Sequence, residues 1–524
     1  MTIKKIADKY LPKNTKYDVD KNMIIFEISE NDIAQICRIL YVENELPLKT
    51  AFAIDDRREN KSFKIFYVFA IPYENYFLVP FITLQDKTTF PSLVSIIHEL
   101  SWYELEIYTF FGLKPVGHSK VHSLILHDNW PNTAYPLRKD FAWNKRPEMS
   151  KGNNFEFEVI KGEGIYELPV GPIHAGIIEP GHFRFSLAGE EIVGLEPRLG
   201  YVHKGIEKLF EILPLDQKVR LSERVSGDSS FSHSMAFCQA VESLSGITIS
   251  QRAAYLRVIF AELERLANHV NDIGFIMNDT AFTFGGSNGT RLKERVMQIN
   301  QRISASRFLR GVNIIGGVSI NLTKEEEKAL GVDIKALQKD FNEVIDSSLN
   351  STSMMSRLKG SGVLDKQIAK DHGILGVAAK ALGLEKDARF EYPYAAYGRL
   401  EHHIALEKTG DVFARFKVRI QEVYNSFSLI LQALEKMPDE ALAITPVKNV
   451  LEKNSMAIGV VEGWRGDIVY VVMTGKDGLI SRVVVRDPSY LNWQSVPYAV
   501  VGNPVPEFPL INKSFNLSYS GSDK

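Results

Sequence analysis

One helical stripe constrains the fold of this sequence more than any other feature. Apolar side chains recur at three- and four-residue spacing over about five helical turns, at Leu256, Ile259, Phe260, Leu263, Leu266, Val270 and Ile273. This period predicts a long helix that buries one face against other helices. Four charged side chains flank the stripe: Arg257, Glu262, Glu264 and Arg265. We therefore expect a helical core around this segment.

Residues 1–145 are predicted to form a first domain of α/β type. Short strand-like runs occur at Met23–Ile28 and Phe63–Ala70. The segment Pro91–Phe111 has helical spacing and ends at Gly112, a common stop signal for a helix. Strands and helices therefore alternate in this region.

A polar linker at 146–165 leads to a second predicted domain, residues 166–524, which is mainly helical with peripheral strands. Strand-like segments are Phe155–Ile160, His182–Leu187, Ile468–Met473 and Ile480–Val485, and further helices are predicted at Lys293–Leu309 and Asp411–Leu434. The proline-rich tail is expected to be irregular. Both domains together predict an α+β protein.

Composition excludes several classes of partner. The 524 residues carry 62 basic and 64 acidic side chains, a net charge of −2, which gives no electrostatic footprint for nucleic acid. The longest strongly apolar stretches, such as Tyr76–Leu84, reach about half of the roughly 20 residues that a spanning helix needs. The N-terminus is charged where a signal peptide would be apolar. We expect a cytoplasmic protein that reaches the inner face of the cell membrane through partner subunits.

Only two cysteines are present, Cys37 and Cys238. A [4Fe–4S] cluster usually takes four cysteines, and a structural zinc site takes four Cys or His ligands, usually in close pairs. Two thiols about 200 positions apart build neither site. The sequence therefore predicts no metal in this chain.

Two motifs in the first domain resemble a known respiratory subunit. Residues 99–112 read ELSWYELEIYTFFG and residues 135–141 read YPLRKDF. Both resemble the smaller hydrophilic subunit beside the quinone end of respiratory complex I, and the PLRKDF run is quite specific to that family. The resemblance implies that the first domain has the fold of that subunit.

From Gly171 on, the chain resembles the large subunit of complex I and of group 4, energy-converting [NiFe]-hydrogenases. The matching segments, in the family's order, are GPIH at 171–174, EPGHFR at 179–184, GYVHKGIEK at 200–208, AELERLANH at 261–269, EGWRG at 462–466 and RDPS at 486–489. A fusion of both subunits is typical of formate-hydrogenlyase-type large subunits.

This chain lacks both cysteine pairs that nickel–iron hydrogenases carry. The family motifs are Arg-x-Cys-Gly-x-Cys and Asp-Pro-Cys-x-x-Cys, whereas residues 224–229 read RVSGDS and residues 516–521 read NLSYSG. Nickel bridged to iron needs soft thiolate ligands, and serine hydroxyls are hard and stay protonated. We therefore expect no nickel. The chain stops at Lys524, so we also expect no extension of the kind that is removed after nickel insertion.

The resemblance assigns several residues to the pocket that holds metal or quinone in relatives. His174, Glu179 and His182 share a turn that opens a strand, and Ser226 and Ser229 keep the facing loop polar. Glu179 lies one position from a glutamate that relays protons in hydrogenases. The alternative is a turn whose imidazoles only satisfy buried backbone groups.

Asp228 has two possible roles. Burial would raise its pKa and make it a proton acceptor, whereas a pair with Arg224 or Arg465 would lower its pKa and make it structural. We expect Asp228 and Glu179 to line one enclosed cavity. Arg465 matches the arginine that hydrogenases point at the ligands of iron, and Trp464 beside it is expected to fill part of the space left by the metal.

His203 and Lys204 match a His-Arg pair that faces the nearest iron–sulfur cluster of the partner subunit in complex I. Lysine keeps the charge of arginine but loses its planar fork. The alternative is an ordinary surface pair at the start of a helix. The partner-facing interpretation implies a cofactor in the partner rather than in this chain.

The leading hypothesis is a metal-free subunit of a complex I-related oxidoreductase, with Asp228, Glu179 and His182 as the residues that handle protons. Its implied partners are an iron–sulfur small subunit, a ferredoxin-like subunit and antiporter-like membrane subunits. A second hypothesis is a quinone-binding subunit. There, His182 and a hydroxyl partner that the sequence does not identify would bind the headgroup, with His174 as the other candidate histidine. Gly227 or one of its neighbours stands where complex I has its tyrosine. A third hypothesis is a non-catalytic assembly scaffold.

Overall fold

The computed structural model describes residues 3–13, 15–152, 155–174, 178–447 and 450–524. Within these ranges the predicted α+β fold is confirmed, with a sheet domain first and a mainly helical domain after it. No helix in the described ranges is both long enough and apolar enough to cross a bilayer.

A five-stranded sheet forms the centre of the N-terminal domain. The elements of this domain are α1 (Ile3–Tyr10), β1 (Asp18–Asp20), β2 (Met23–Glu27), α2 (Ile33–Arg38), a π-helical turn (Ile39–Glu43), β3 (Leu48–Asp56), α3 (Arg57–Asn60), β4 (Ser62–Ile71), β5 (Tyr76–Gln85), β6 (Thr89–Pro91), α4 (Leu100–Phe111) and β7 (Lys114–Val116). The strand order is β1-β2-β5-β4-β3, and β2 and β5 are parallel. Strands β6 and β7 pair separately.

Both faces of this sheet are buried. Side chains alternate between the two faces of a strand, so Ile65 and Tyr67 of β4 pack with the domain's own helices, whereas Phe66 and Val68 pack toward the second domain. The Phe66 ring stacks on Phe52 at 5.2 Å between ring centroids. The sheet therefore joins the two domains through a shared apolar layer.

Helix α4 is shorter than the sequence predicts. The prediction began at Pro91, but the helix begins at Leu100. The Glu104 carboxylate accepts the Leu93 amide at 2.7 Å, which holds the preceding residues in turns rather than in a helix. The helix ends at Gly112, as predicted, in the left-handed conformation with φ of 68°.

The second domain opens with a three-stranded antiparallel sheet and continues with helices. Its elements are β8 (Ile165–Val170), β9 (His182–Ala188), β10 (Glu191–Arg198), α5 (Ile206–Ile212), α6 (Leu215–Ser222), α7 (Ser230–Ser245), α8 (Gln251–Asp279), α9 (Thr283–Ser304), β11 (Asn313–Ile314), β12 (Gly317–Val318), α10 (Lys324–Leu349), α11 (Thr352–Leu358), α12 (Lys366–Asp371), α13 (Gly376–Lys380), α14 (Ala388–Glu391), a 3₁₀ turn (Tyr397–Arg399) and α15 (Val412–Lys436). In the first sheet β9 lies between β8 and β10.

Helix α8 carries the predicted apolar stripe and forms the centre of this domain. It packs against α9 and α15. A Cβ atom built on Gly289 of α9 would lie 2.5 Å from the Cα of Gly274 on α8, so the two helices touch backbone to backbone. The glycine-rich start of α9 therefore serves helix packing.

A C-terminal sheet and four short helices complete the fold. They are β13 (Met456–Gly463), β14 (Gly466–Thr474), β15 (Ile480–Arg486), α16 (Pro488–Asn492), a 3₁₀ turn (Trp493–Ser495), α17 (Val496–Val500), a second 3₁₀ turn (Val505–Glu507), α18 (Phe508–Phe515) and α19 (Tyr519–Asp523). The prediction of an irregular tail is therefore wrong. Proline stands in the first turn of α16, α17 and α18, where its missing N–H is not needed.

The predicted strand at Phe155–Ile160 is also absent, since this segment has no regular structure. Its aromatic rings cover arginines instead of joining a ladder. The Arg198 guanidinium lies 3.8 Å from the centre of the Phe155 ring, and that of Arg184 lies 4.4 Å from the centre of the Phe157 ring.

Candidate functional site

Four segments meet at the tip of the hairpin that joins β13 to β14. The tip is the two-residue turn Trp464–Arg465, closed by the pair Gly463 and Gly466. Because α7 packs against both strands, the loop that precedes α7, residues 223–229, lies beside this tip. The C-terminal residues 516–521 contact Arg465 at this tip, and Glu179, which precedes β9, contacts Ser520 of this C-terminal segment.

Asp228 and Arg465 form a bidentate ion pair at this tip. The guanidinium nitrogens lie 2.8 and 2.7 Å from the two carboxylate oxygens of Asp228. The Asp228 carbonyl accepts the Trp464 indole N–H at 3.2 Å and the Asn268 amide at 2.9 Å. Both oxygens and the backbone of Asp228 are therefore held, and Arg465, not Arg224, is its partner.

The ion pair keeps Asp228 ionised. Burial raises the pKa of Asp228, but the Arg465 guanidinium and the Ser226 hydroxyl outweigh this effect and hold the pKa below its ordinary value. The Asp228 side chain is 40% exposed to solvent, whereas the Arg465 side chain is 5% exposed. Of the two roles considered for Asp228, the structure has the paired one.

A chain of serines runs from Asp228 toward Glu179. The Ser226 hydroxyl donates to the Asp228 carboxylate at 2.9 Å and lies 2.9 Å from the Ser518 hydroxyl. The Ser518 hydroxyl lies 3.4 Å from that of Ser520, whose backbone N–H donates to Glu179 at 2.9 Å. Serine hydroxyls therefore stand between the two carboxylates.

The donor set at the thiolate positions of hydrogenases does not fit nickel. Motif spacing places Ser226, Ser229, Ser518 and Gly521 at the four positions. The 2.9 Å contact between Ser226 and Ser518 leaves no space for an ion between them. A Cβ atom on Gly521 would lie 2.6 Å from the Asp487 carboxyl carbon. Among the described residues, no group of three His, Cys, Asp or Glu side chains is arranged to hold a metal.

The Asp487 carboxylate occupies the space beside the fourth thiolate position. It lies 3.0 Å from His233 Nε2 and accepts the Ser489 amide at 2.7 Å. His233 Nδ1 lies 3.0 Å from the Tyr470 hydroxyl. Burial raises the pKa of Asp487, and the contact with His233 outweighs it and lowers the pKa overall. Sequence reasoning noticed the motif that contains Asp487 but not this contact, because His233 lies about 250 positions away.

The two predicted histidines pack against aromatic rings. His174 lies between the rings of Phe183 and Tyr519, at 5.6 and 6.2 Å between centroids, and His182 begins β9 with the Phe157 ring at 5.4 Å. Burial lowers the pKa of both imidazoles, so both are neutral at pH 7. Among the described residues, His174 Nε2 has no hydrogen-bond partner.

His203 and Lys204 hold the C-terminus and the site loop. His203 Nδ1 lies 2.6 Å from the Asp523 carbonyl. The Lys204 ammonium donates to the carbonyls of Arg224 and Val225 at 2.7 and 3.0 Å. These contacts brace the loop that carries Ser226. The role of the pair toward a partner subunit stays a prediction.

A buried charge cluster behind the hairpin was not predicted. Its side chains are at most 3% exposed. The members are Glu262, Arg265, Lys380, Asp387, Arg389, Glu422 and Glu462. Two of them, Glu262 and Arg265, are among the charges that flank the stripe of α8. The one feature of the sequence that pointed to this cluster was the presence of charged residues within a long, otherwise apolar helix.

Lys380 and Arg265 connect this buried charge cluster. The Lys380 ammonium lies 2.7 Å from Asp387, 2.7 Å from Glu422 and 3.2 Å from Glu462. Arg265 donates to the backbone carbonyl of Glu462 at 2.7 Å. Because Glu462 is three residues before Arg465, the cluster is tied directly to the hairpin that holds Asp228.

Comparison with known proteins agrees with this architecture. Residues 26–147 match the family described as the 30 Kd subunit of respiratory-chain NADH dehydrogenase. Residues 278–458 match the 49 Kd subunit of the same enzyme. These two segments of the chain are therefore similar to two different subunits of that enzyme.

Curated relatives match almost the whole chain. Formate hydrogenlyase subunit 5 of Escherichia coli (strain K12) is 31% identical over 510 residues, which cover 96% of this chain and 89% of the relative. Hydrogenase-4 component G of the same organism is 32% identical over 506 residues, covering 96% and 88%. The chain belongs to the family of complex I-related hydrogenase large subunits in which the 30 Kd and 49 Kd types are fused.

A solved structure supports the fold. The membrane-bound sulfane sulfur reductase, described as an archaeal respiratory membrane complex, aligns with a TM-score of 0.65 at 24% identity. The alignment covers 69% of this chain and 99% of that chain. At this identity the likeness establishes the shared fold only.

Proposed function

We propose that this chain is the metal-free large subunit of a membrane-associated, complex I-related oxidoreductase, in which it couples electron transfer to the movement of protons or ions. Its relatives are named as subunits of formate hydrogenlyase and hydrogenase-4. The observation that carries the proposal is the Asp228–Arg465 ion pair beside positions where hydrogenases bind metal. In this proposal, an ion pair that can open and re-form occupies the position of the metal.

The proposed partners follow from the family. They are an iron–sulfur small subunit resembling the cluster subunit of complex I, a ferredoxin-like subunit and antiporter-like membrane subunits. Placement at the inner face of the membrane, through such partners, is part of this proposal. Lys204 is exposed and braces the site loop, so a subunit bound at this surface would contact the site directly.

The proton step proposed here uses the ion pair. An electron on an iron–sulfur cluster of the proposed small subunit would bring negative charge near the site. Such charge raises the pKa of a carboxyl by about 1 to 3. This rise alone leaves Asp228 ionised at neutral pH, because the pair with Arg465 holds its pKa low. We propose that the arriving charge also loosens the pair, after which burial favours the neutral carboxyl and Asp228 takes up a proton. Arg465 keeps its contact with the Asn516 carbonyl. When the charge leaves, the pair re-forms and the proton is released.

The serine chain orients this exchange. Ser226 donates to Asp228 and is within hydrogen-bond distance of Ser518, so a proton can pass along the hydroxyls toward Ser520. Glu179 contacts the backbone N–H of Ser520, and a backbone N–H passes no proton on. Glu179 therefore positions Ser520 at the end of the serine chain. A water molecule is needed to carry the proton beyond Ser520.

The residues do not fit a quinone headgroup in the manner of complex I. Gly227 has no hydroxyl to offer, and a Cβ atom there would lie 3.5 Å from the Arg310 guanidinium. The quinone hypothesis therefore needs His182 or His174 together with a hydroxyl partner other than Gly227. The scaffold hypothesis predicts that substitutions at Asp228, Glu179 and His182 all leave coupling unchanged.

The test is ion translocation by the complete complex in membrane vesicles. Asp228→Asn keeps the size of the side chain and removes its charge, so we expect translocation to be lost while the complex stays assembled. Asp216→Asn, on the exposed side of α6, is the matched control and should translocate normally. Normal translocation by Asp228→Asn would reject the proposal.

A further inference from the structure

A polar cavity of about 190 Å³ lies between the N-terminal domain and the second domain, and we call it the seam cavity. From the first domain it is lined by the titratable side chains Tyr41, Glu45, Lys49 and Glu99. From the second domain it is lined by Lys386, Asp387, Glu391, Glu462, Asp467 and Arg486. A polar void of this size has room for several waters.

Glu99 is the carboxyl in this cavity that lacks a full set of partners. It is 4% exposed, and its Oε1 atom has no hydrogen-bond partner among the described residues. A buried, ionised carboxylate with an unsatisfied oxygen is costly, whereas a protonated carboxyl can donate to water. Burial raises the pKa of Glu99 to about 7, against the opposing effect of Lys386.

The other strong cations of the cavity are already engaged. Asp467 lies 2.8 Å from Lys49 and 2.9 Å from Arg486. The pKa of Asp467 is lowered although burial alone would raise it, because Arg486 and Lys49 hold the charged form. Glu391 lies 3.6 Å from Lys49. Lys386 is therefore the cation left to balance Glu99.

A four-residue segment, 373–376, connects Glu99 to the hairpin tip. A Cβ atom on Gly373 would lie 1.7 Å from the Glu99 Oε2 atom, and one on Gly376 would lie 2.0 Å from the Arg465 carbonyl oxygen. Both glycines have positive φ, 65° and 57°, which side chains with a Cβ rarely adopt. The segment therefore touches Glu99 at one end and the backbone of Arg465 at the other.

We propose that the seam cavity is a second proton-binding site, in which Glu99 holds the proton and segment 373–376 links its occupancy to the Asp228–Arg465 pair. Waters in the cavity exchange the proton with solvent at Glu45, which is exposed at its edge. The link rests on the proposed function, whereas the proton site itself does not.

The test is an infrared titration of carboxyl groups in the purified complex between pH 5 and 9. Wild type should show several carboxyls that lose their protons near pH 7, since burial also raises the pKa of Glu104, Glu264 and Glu462 to about 7. Glu99→Gln should lack one of these transitions, the one that responds to Lys386→Gln. Lys386→Gln should move this transition upward by about one pH unit or more, since it removes the opposing cation. If Glu99→Gln does not fold, the shift of the transition in Lys386→Gln still tests the proposed site.

Glu104 gives a matched control within the same domain. It is 1% exposed and accepts the Leu93 amide, but it does not line the cavity. Glu104→Gln should keep the transition that responds to Lys386→Gln. The site is rejected if that transition persists in Glu99→Gln or does not move in Lys386→Gln.

Asp228→Asn tests the link separately from the site. We expect the midpoint of the Glu99 transition to shift in this variant, because the Arg465 guanidinium loses its counter-charge and its backbone touches segment 373–376. An unchanged midpoint would reject the link, even if Glu99 titrates as expected. Loss of ion translocation in Asp228→Asn is read in a different assay, so the two proposals fail independently.

Discussion

Replacing Lys380 by methionine is expected to destabilise the helical domain by about 3–5 kcal/mol. The ammonium lies within 3.2 Å of Asp387, Glu422 and Glu462 and is 2% exposed. Methionine fills similar space but leaves three buried carboxylates with one cation fewer. The loss therefore comes from uncompensated charge rather than from a cavity.

The loss of stability in Lys380→Met should grow as the pH rises. Burial and the Asp387 carboxylate raise the pKa of Glu462 to about 7, above the value of about 4.3 in an unfolded chain. A carboxyl whose pKa is higher in the folded state lowers the free energy of unfolding as the pH rises from about 4 to 7. Without Lys380 its folded pKa rises further, so this window extends above pH 7. The deficit should be smaller at pH 6 than at pH 8.

The assay is urea denaturation at pH 6 and pH 8, following the unfolding step of the helical domain. Lys417→Met is the control, since Lys417 pairs with Glu407 at 2.7 Å but its side chain is 38% exposed. An exposed pair contributes about 0–1 kcal/mol. If the two variants lose similar stability, or the Lys380→Met deficit grows at pH 6, the reasoning about the buried charge cluster is refuted.

Two further predictions concern the thiolate positions. Metal analysis of the purified complex should find no stoichiometric nickel in this subunit, and hydrogen uptake should be undetectable. Stoichiometric nickel would overturn the proposed function. Gly521→Ala should lower the free energy of unfolding by about 1–3 kcal/mol, because its Cβ would lie 2.6 Å from the Asp487 carboxyl carbon. Ser522→Ala is the comparison, because Ser522 is the next residue, about 100° further around α19, and is also buried at 3% exposure. Equal losses would contradict the crowding argument.

The sequence predicted those elements whose signal is local. The stripe of α8 and the stop at Gly112 depend on spacing within one segment, and both are present in the structure. The start of α4 was wrong because Glu104 captures the Leu93 amide, a contact that helical periodicity does not register. The strand prediction at 155–160 was wrong because the aromatic rings of this segment pack on arginines of neighbouring strands.

The site required three-dimensional contacts that no pattern specifies. The sequence named Asp228 and offered two arginines, and only the fold selects Arg465, about 240 positions away. The charges beside the α8 stripe indicated polar positions within an apolar helix, but they did not indicate that Glu262 and Arg265 would be buried together with Lys380. Family motifs indicated which segments matter, and the folded chain determines which of their atoms meet.

Proton uptake on reduction tests the central claim most directly. The purified complex is reduced in weakly buffered solution with a pH-sensitive dye, and protons taken up per electron are counted. If Asp228 protonates when charge arrives, wild type takes up a proton on reduction, and Asp228→Asn takes up correspondingly less while accepting the same number of electrons. Equal uptake by wild type and Asp228→Asn would contradict the claim that this ion pair is the redox-linked proton acceptor.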